Sequence, residues 1–189
     1  MVHDDYGRLP WLEPYAEALS SRGFRVVVPD FYGGFCTTDA ATAAELRDSL
    51  AASVALDLID GAIARSDGDS SVVGAVGFSL GGVLAMRFAQ SGRTAAAVSY
   101  YASLPSDEHA VIPCPVLLHW AETDPLEPRE QTDAVVARLR ADGTTVTEHR
   151  YLGTEHGFAN PSIRAQLDVR AAALAFARTA VFLEKQLLA

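Results

Sequence analysis

Short apolar runs recur along the chain at residues 25–29, 71–77, 95–102, 115–120 and 144–151, and each has the length and side-chain make-up of a β-strand. Most of the intervening segments carry apolar residues at helical spacing instead. These are residues 10–21, stopped by Gly23; the Ala- and Leu-rich 40–65, ending in the turn Ser66-Asp67-Gly68-Asp69; and then 80–90, 127–141 and 162–188. Strands that are apolar on both faces and separated by helices predict a mostly parallel sheet covered on both sides, an α/β doubly wound fold. One connection departs from the pattern. In residues 101–113, Leu104-Pro105-Ser106-Asp107-Glu108 leaves room for no more than a short helical turn between two strands. No repeat, low-complexity stretch or linker is visible, so residues 1–189 are read as one domain. The alanines crowded into 40–64 and 171–180 fit helix propensity and close helix packing.

Composition narrows the function classes. Fifteen Lys and Arg against 24 Asp and Glu give a net charge of -9, so no bulk attraction to phosphate backbones or anionic lipid is expected. Nucleic-acid and membrane partners are therefore not expected. Cys36 and Cys114 are too few for a disulfide framework and lack the paired spacing of a zinc site, which reads as two reduced thiols and no metal. The apolar run 171–183 is broken by Arg178, and His3, Asp4 and Asp5 follow directly on Met1 and Val2, unlike a signal peptide. The expectation is a soluble, cytoplasmic protein.

The strongest chemical signal is Gly77-Phe78-Ser79-Leu80-Gly81-Gly82, placed between the strand at 71–77 and the helix at 80–90. In that context GxSxG forms a nucleophile elbow, its glycines letting a strained turn pass close to its neighbours. Ser79 would stand above the sheet, with the amide of Leu80 facing a developing oxyanion. The plainer alternative is a glycine-rich turn in which Ser79 caps the helix.

A serine hydroxyl needs a base, and the base an orienting acid. Asp124 follows the strand at 115–120, and His156 follows the last strand within Gly153-Thr154-Glu155-His156-Gly157-Phe158. All three residues fall just past the C-terminal ends of strands, where open α/β sheets form their sites, in the Ser, Asp, His order of α/β-hydrolases. Taken singly, an acid before proline reads as a turn former and a lone loop histidine as solvated. His3, His109, His119 and His149 have no nucleophile context and read as structural or solvated. The amide of Asp5, in His3-Asp4-Asp5-Tyr6-Gly7, is the candidate second oxyanion donor.

The chain as a whole resembles the dienelactone hydrolase family of α/β-hydrolases. The matching features are residues 3–7, Tyr15-Ala16-Glu17-Ala18-Leu19 with Arg22-Gly23-Phe24, Pro29-Asp30-Phe31-Tyr32-Gly33, the elbow at Ser79, Asp124 with its preceding strand, and His156-Gly157-Phe158. The resemblance implies a small hydrolase without a cap domain, needing no cofactor and acting on lactones or small esters through an acyl-enzyme. It points to Asp4, Tyr32 and Asn160 as substrate-binding positions. The departures bear on substrate. The family's elbow cysteine is Ser79 here, and its early-loop glutamate is the shorter Asp4. Its two carboxylate-clamping arginines fall at Gly33-Gly34 and Asn160. Without those guanidiniums, and with Asp4, Asp5, Glu122, Glu127 and Glu155 around the site, the expected substrate is a neutral ester or lactone.

Rival readings are acyl transfer or thioester hydrolysis on the same three residues, and a non-catalytic binding protein of the same fold. Cys36, near the expected site mouth, has nothing adjacent to lower its pKa and reads as a small packed residue; Cys114 reads as structural. The resemblance also implies an interior strand before the oxyanion loop, yet that loop begins at residue 3. The N-terminal strands are therefore expected to be missing, with Met1 not the native start.

Overall fold

Four strands and six helices form among the described residues, 1–66, 72–105 and 111–188, of the computed structural model. The strands are β1 (Gly74–Phe78), β2 (Ala96–Tyr100), β3 (Val116–Thr123) and β4 (Val146–Glu155), all parallel in the order β1-β2-β3-β4. The helices are α1 (Leu12–Ser20), α2 (Ala40–Ser49), α3 (Ala52–Arg65), α4 (Leu80–Gln90), α5 (Arg129–Ala141) and α6 (Val169–Leu187).

Successive strand residues point to opposite faces, and both faces are apolar. Val76, Phe78, Val98, Tyr100 and Leu117 join α1 and α6 in one cluster. Ala97, Val116, Leu118 and Trp120 join Met86 and Ala89 of α4 and Val135, Val136 and Leu139 of α5 in the other. Each fully buried Val or Leu contributes about 1.5–3 kcal/mol, so two such layers hold the sheet between its helices. The register aligns Phe78, Tyr100, His119 and His149 across the four strands, which brings the C-terminal strand ends together along one edge.

Three expectations change. Residues 40–65 form two helices, because Leu50 and Ala51 turn extended (ψ 112° and 132°) and let Ala43 of α2 and Ala55, Ile59 and Ala62 of α3 bury separate stripes. The last helix starts at Val169 rather than 162: Asn160 accepts the Ser162 N–H at 2.8 Å, holding a turn, and Asp168 caps the helix by accepting from Ala171 at 2.8 Å. Residues 25–29 run without a strand ladder, because Met1 and Val2 stand between them and β1. The Met1 ammonium donates to the Val27 carbonyl at 2.6 Å, the Val2 N–H donates to Val76 at 2.7 Å, and the Val2 carbonyl accepts from Phe78 at 3.2 Å. Beyond these two residues the slot is a cavity of about 420 Å³ lined by Leu19, Val26, Ile59, Val73 and Leu183.

The expected turn at 66–69, the strand start at Ser71, the short turn through Ser106-Asp107-Glu108 and His109 all involve residues outside the described ones. Cys114 is buried as expected, whereas Cys36 is exposed rather than packed, although its backbone forms an isolated antiparallel bridge with Gly7. No helix among the described residues is long and apolar enough to cross a membrane.

Candidate active site

The turn from β1 to α4 is made by one residue. Ser79 has φ 50° and ψ -120°, a conformation that costs a non-glycine residue on the order of 1–3 kcal/mol and persists only where its surroundings impose it. They do: the Ser79 N–H donates to Tyr100 at 3.0 Å, and its carbonyl accepts from Gly82 at 2.7 Å. The side chain makes no helix-capping bond, so the simple cap reading is not realised. Its Oγ instead lies 2.9 Å from His156 Nε2.

His156 is the first residue after β4 and Asp124 the first after β3, so the parallel register delivers both to the edge where the elbow stands. His156 Nδ1 is 2.8 Å from Asp124 Oδ2. The other Asp124 oxygen accepts the N–H groups of Leu126 at 3.0 Å and Glu127 at 3.1 Å, so the carboxylate is tied to its own turn. An ionised carboxylate accepts only, which makes Nδ1 the protonated nitrogen and leaves the Nε2 lone pair for the Ser79 hydroxyl. The Tyr101 ring packs edge-on to the imidazole, 4.9 Å between centroids. Glu127, whose carboxylate receives both the N–H and the hydroxyl of Ser103, closes the outer side of that turn.

Residues 3–7 lie across the elbow. A Cβ on Gly81 would come 2.3 Å from the Val2 carbonyl oxygen and 2.4 Å from that of His3, so only glycine admits this approach. His3 is buried: Nδ1 donates to the Asp4 carbonyl at 2.7 Å, and Nε2 accepts the Phe31 N–H at 3.2 Å. That histidine is structural, and through it the loop is held to Phe31. Tyr32 packs beside its ring, 5.2 Å between centroids, with a buried hydroxyl that meets no protein partner.

Asp4 and Asn160, expected to touch substrate, are 3% and 1% exposed and bonded to each other, Asn160 Nδ2 donating to Asp4 Oδ2 at 2.7 Å. The other Asp4 oxygen accepts the Tyr6 N–H at 3.1 Å. They join residues 3–7 to the segment after His156. Burial pushes the Asp4 carboxyl up to about 7, more than its hydrogen bonds lower it.

The native state therefore binds a proton that the unfolded chain has released. This contribution to stability is complete below the unfolded value near 4 and is lost as pH rises through about 7. An Asp4→Asn variant has no such titration, so its stability relative to wild type should improve by about 2–3 kcal/mol between pH 5 and pH 8. Urea unfolding at a series of pH values measures this; a pH-independent difference would remove Asp4 from the account.

Asp5 and Leu80, the expected amide donors, lie near each other: the Leu80 N–H favours the charged form of the Asp5 carboxylate, whose Oδ1 is buried. Its other oxygen pairs with Arg47 Nη1 of α2 at 3.2 Å. Arg47 was not visible as a site residue in sequence, because nothing in an Ala-rich helical run marks which turn meets a loop 42 positions earlier. Among the described residues no group of three or more His, Cys, Asp or Glu side chains is placed to hold a metal ion.

Solved structures of the same fold include the dienelactone hydrolase-like promiscuous phosphotriesterase P91 from metagenomic libraries (TM-score 0.82, 22% identity, 98% of this chain and 84% of that one). Carboxymethylenebutenolidase of Rhodococcus opacus is 28% identical over 145 residues, 69% of this chain and 58% of that protein. A protein of Azospirillum brasilense provisionally named a carboxymethylenebutenolidase is 38% identical over 112 residues, 57% of this chain and 47% of that protein. The matched stretches thus span about half the length of these relatives. A sequence profile of the dienelactone hydrolase family matches residues 1–187, and the resemblance read from scattered motifs becomes one continuous match: the chain belongs to the dienelactone hydrolase family.

Proposed function

We propose that this chain is a serine-dependent hydrolase of small neutral esters or lactones. The observation that carries the reading is the hydrogen-bonded series Ser79 Oγ to His156 Nε2 and His156 Nδ1 to Asp124 Oδ2, built on a strained elbow. The family and the names of its relatives support a lactone or ester as the substrate class.

Ser79 Oγ attacks the carbonyl carbon while His156 Nε2 takes the hydroxyl proton. The carbonyl electrons move onto oxygen, where the amides of Leu80 and Asp5 receive the charge. Collapse expels the alkoxide, which takes the proton back from His156 and leaves an acyl-serine. Water, deprotonated by the same nitrogen, then releases the acid and restores Ser79. Asp124 keeps the imidazole in the productive tautomer and stabilises its cationic form. Neutral substrates follow from the side chains: Gly33 and Gly34 offer no cation, Asn160 is spent on Asp4, and Arg47 is already paired with Asp5 and Asp48.

A fluorophosphonate probe tests the reading on the wild-type chain. Ser79 should be labelled, as mapped by peptide mass spectrometry, and short-chain aryl esters should be cleaved faster than an anionic dienelactone. No labelling would favour a binding protein, labelling at Cys36 would replace the nucleophile, and faster cleavage of the anionic lactone would overturn the substrate class. Added alcohol or thiol acceptors that divert the acyl group would favour acyl transfer over hydrolysis.

A further inference from the structure

Asp5 brings a side chain as well as an amide to the oxyanion position, and the two act in opposite senses. The amide can donate to a developing oxyanion, whereas the carboxylate places a negative charge where that oxyanion must form. Asp5 Oδ1 is buried without a hydrogen-bond partner, and the Leu80 N–H favours the charged form of the carboxylate. Asp5 Oδ2 is held 3.2 Å from Arg47 Nη1, and the same guanidinium meets Asp48 Oδ1 at 2.9 Å. The Asp5 side chain is 17% exposed and that of Arg47 is 41% exposed, so the arginine has the freer surroundings of the two.

We propose that Asp5 guards the oxyanion position and that Arg47 is the positioning residue that releases it. In the closed arrangement the buried Asp5 Oδ1 sits beside the Leu80 amide, and a carbonyl oxygen can settle there only when Oδ1 moves away. Arg47, anchored on α2 by Asp48, already holds Asp5 Oδ2 and supplies the counter-charge about which the carboxylate swings as Oδ1 moves away. It also neutralises Asp5 while negative charge builds on the substrate oxygen a few ångströms away. A buried, unpartnered carboxylate oxygen is costly to leave in place, so the displacement relieves an existing penalty as well as opening the site. The effect belongs to the charge-bearing transition state and falls on kcat more than on KM.

The inference rests on the serine hydrolase reading, and a double-mutant cycle on a short-chain aryl ester tests it separately. Arg47→Gln should lower kcat about tenfold with KM changed little, because Asp5 then stands charged and unheld beside the oxyanion. Asp5→Ala should raise kcat several-fold. The double variant should match Asp5→Ala, since Arg47 has no work left once its partner is gone. A phenylboronic acid, whose serine adduct carries negative charge, should bind about tenfold more weakly to Arg47→Gln than to wild type. Asp5→Asn, close in shape but uncharged, covers the case in which alanine disturbs the loop. An arginine effect of equal size with and without Asp5, or a fall in kcat in both Asp5 variants, would overturn the guard. A wild-type chain that cleaves no ester would overturn the hydrolase reading along with it.

Discussion

Ser79→Ala should lower kcat on aryl esters by about a million-fold, the scale seen when a serine hydrolase loses its nucleophile alone. That is close to 8 kcal/mol of transition-state stabilisation, at 1.36 kcal/mol per factor of ten. Removing Oγ takes away the atom that bonds to the carbonyl carbon and strands the His156 Nε2 that it meets at 2.9 Å. The backbone should be indifferent. Alanine at φ 50° carries the same Cβ strain as serine, and the bonds that impose the turn, from Ser79 N–H to Tyr100 and from Gly82 to the Ser79 carbonyl, are main-chain bonds. Stability should therefore stay within about 0.5 kcal/mol of wild type, so lost activity cannot be assigned to unfolding. The amides of Leu80 and Asp5 would remain, and with them a residual rate about 10³–10⁴ above water. Steady-state kinetics alongside urea unfolding decide the matter. A variant that keeps activity within tenfold of wild type would remove Ser79 as the nucleophile.

Gly77→Ala should prevent folding. A Cβ there would lie 1.8 Å from the Gly81 carbonyl oxygen, 2.2 Å from its carbon and 2.6 Å from the Gly82 nitrogen, all main-chain atoms in the first turn of α4. No rotamer change can relieve a clash with backbone. Relief requires α4 to lift off β1, which would expose its own buried residues Leu84, Ala85 and Phe88. The expected loss exceeds about 4 kcal/mol, against a total stability of about 5–15 kcal/mol for such a domain. Gly143→Ala is the control: φ is 89°, but nothing lies within 4 Å, so only the local backbone penalty of about 1–2 kcal/mol applies. Circular dichroism and urea titration of the two variants compare them. Native-like stability of Gly77→Ala would mean that the elbow is looser than its geometry implies.

Much of the site was legible because its chemistry is written in short stretches. The elbow is a local requirement: Gly77 and Gly81 are needed within four residues of Ser79, and the turn links a strand to a helix. Asp124 and His156 were placed by the same logic, each following an apolar run that could be recognised as a strand from its own residues. Helix α4 matches its expected bounds for that reason, and α5 starts only two residues later than expected, just after Pro128. Failures came where local signals are silent. The alanine-rich residues 40–65 keep helix propensity through the break at Leu50 and Ala51, because propensity does not record which face must be buried. Residues 25–29 have the side chains of a strand but not its ladder, because pairing depends on what lies alongside.

Alternation, turn residues and the spacing of a few polar side chains were enough to determine a parallel, helix-covered sheet with a serine, an acid and a histidine at strand ends. The local backbone preferences behind those features act over a few residues and can be read in place. Only the tertiary structure decided that Asp4 would bond to Asn160, 156 positions away. It alone brought Arg47 to Asp5 and set Met1 and Val2 between residues 25–29 and β1. Such pairings are settled by strand register and by which helix face meets which loop. The free energy of burying a charge or a backbone edge depends on the assembled neighbourhood, and no window of the chain contains it.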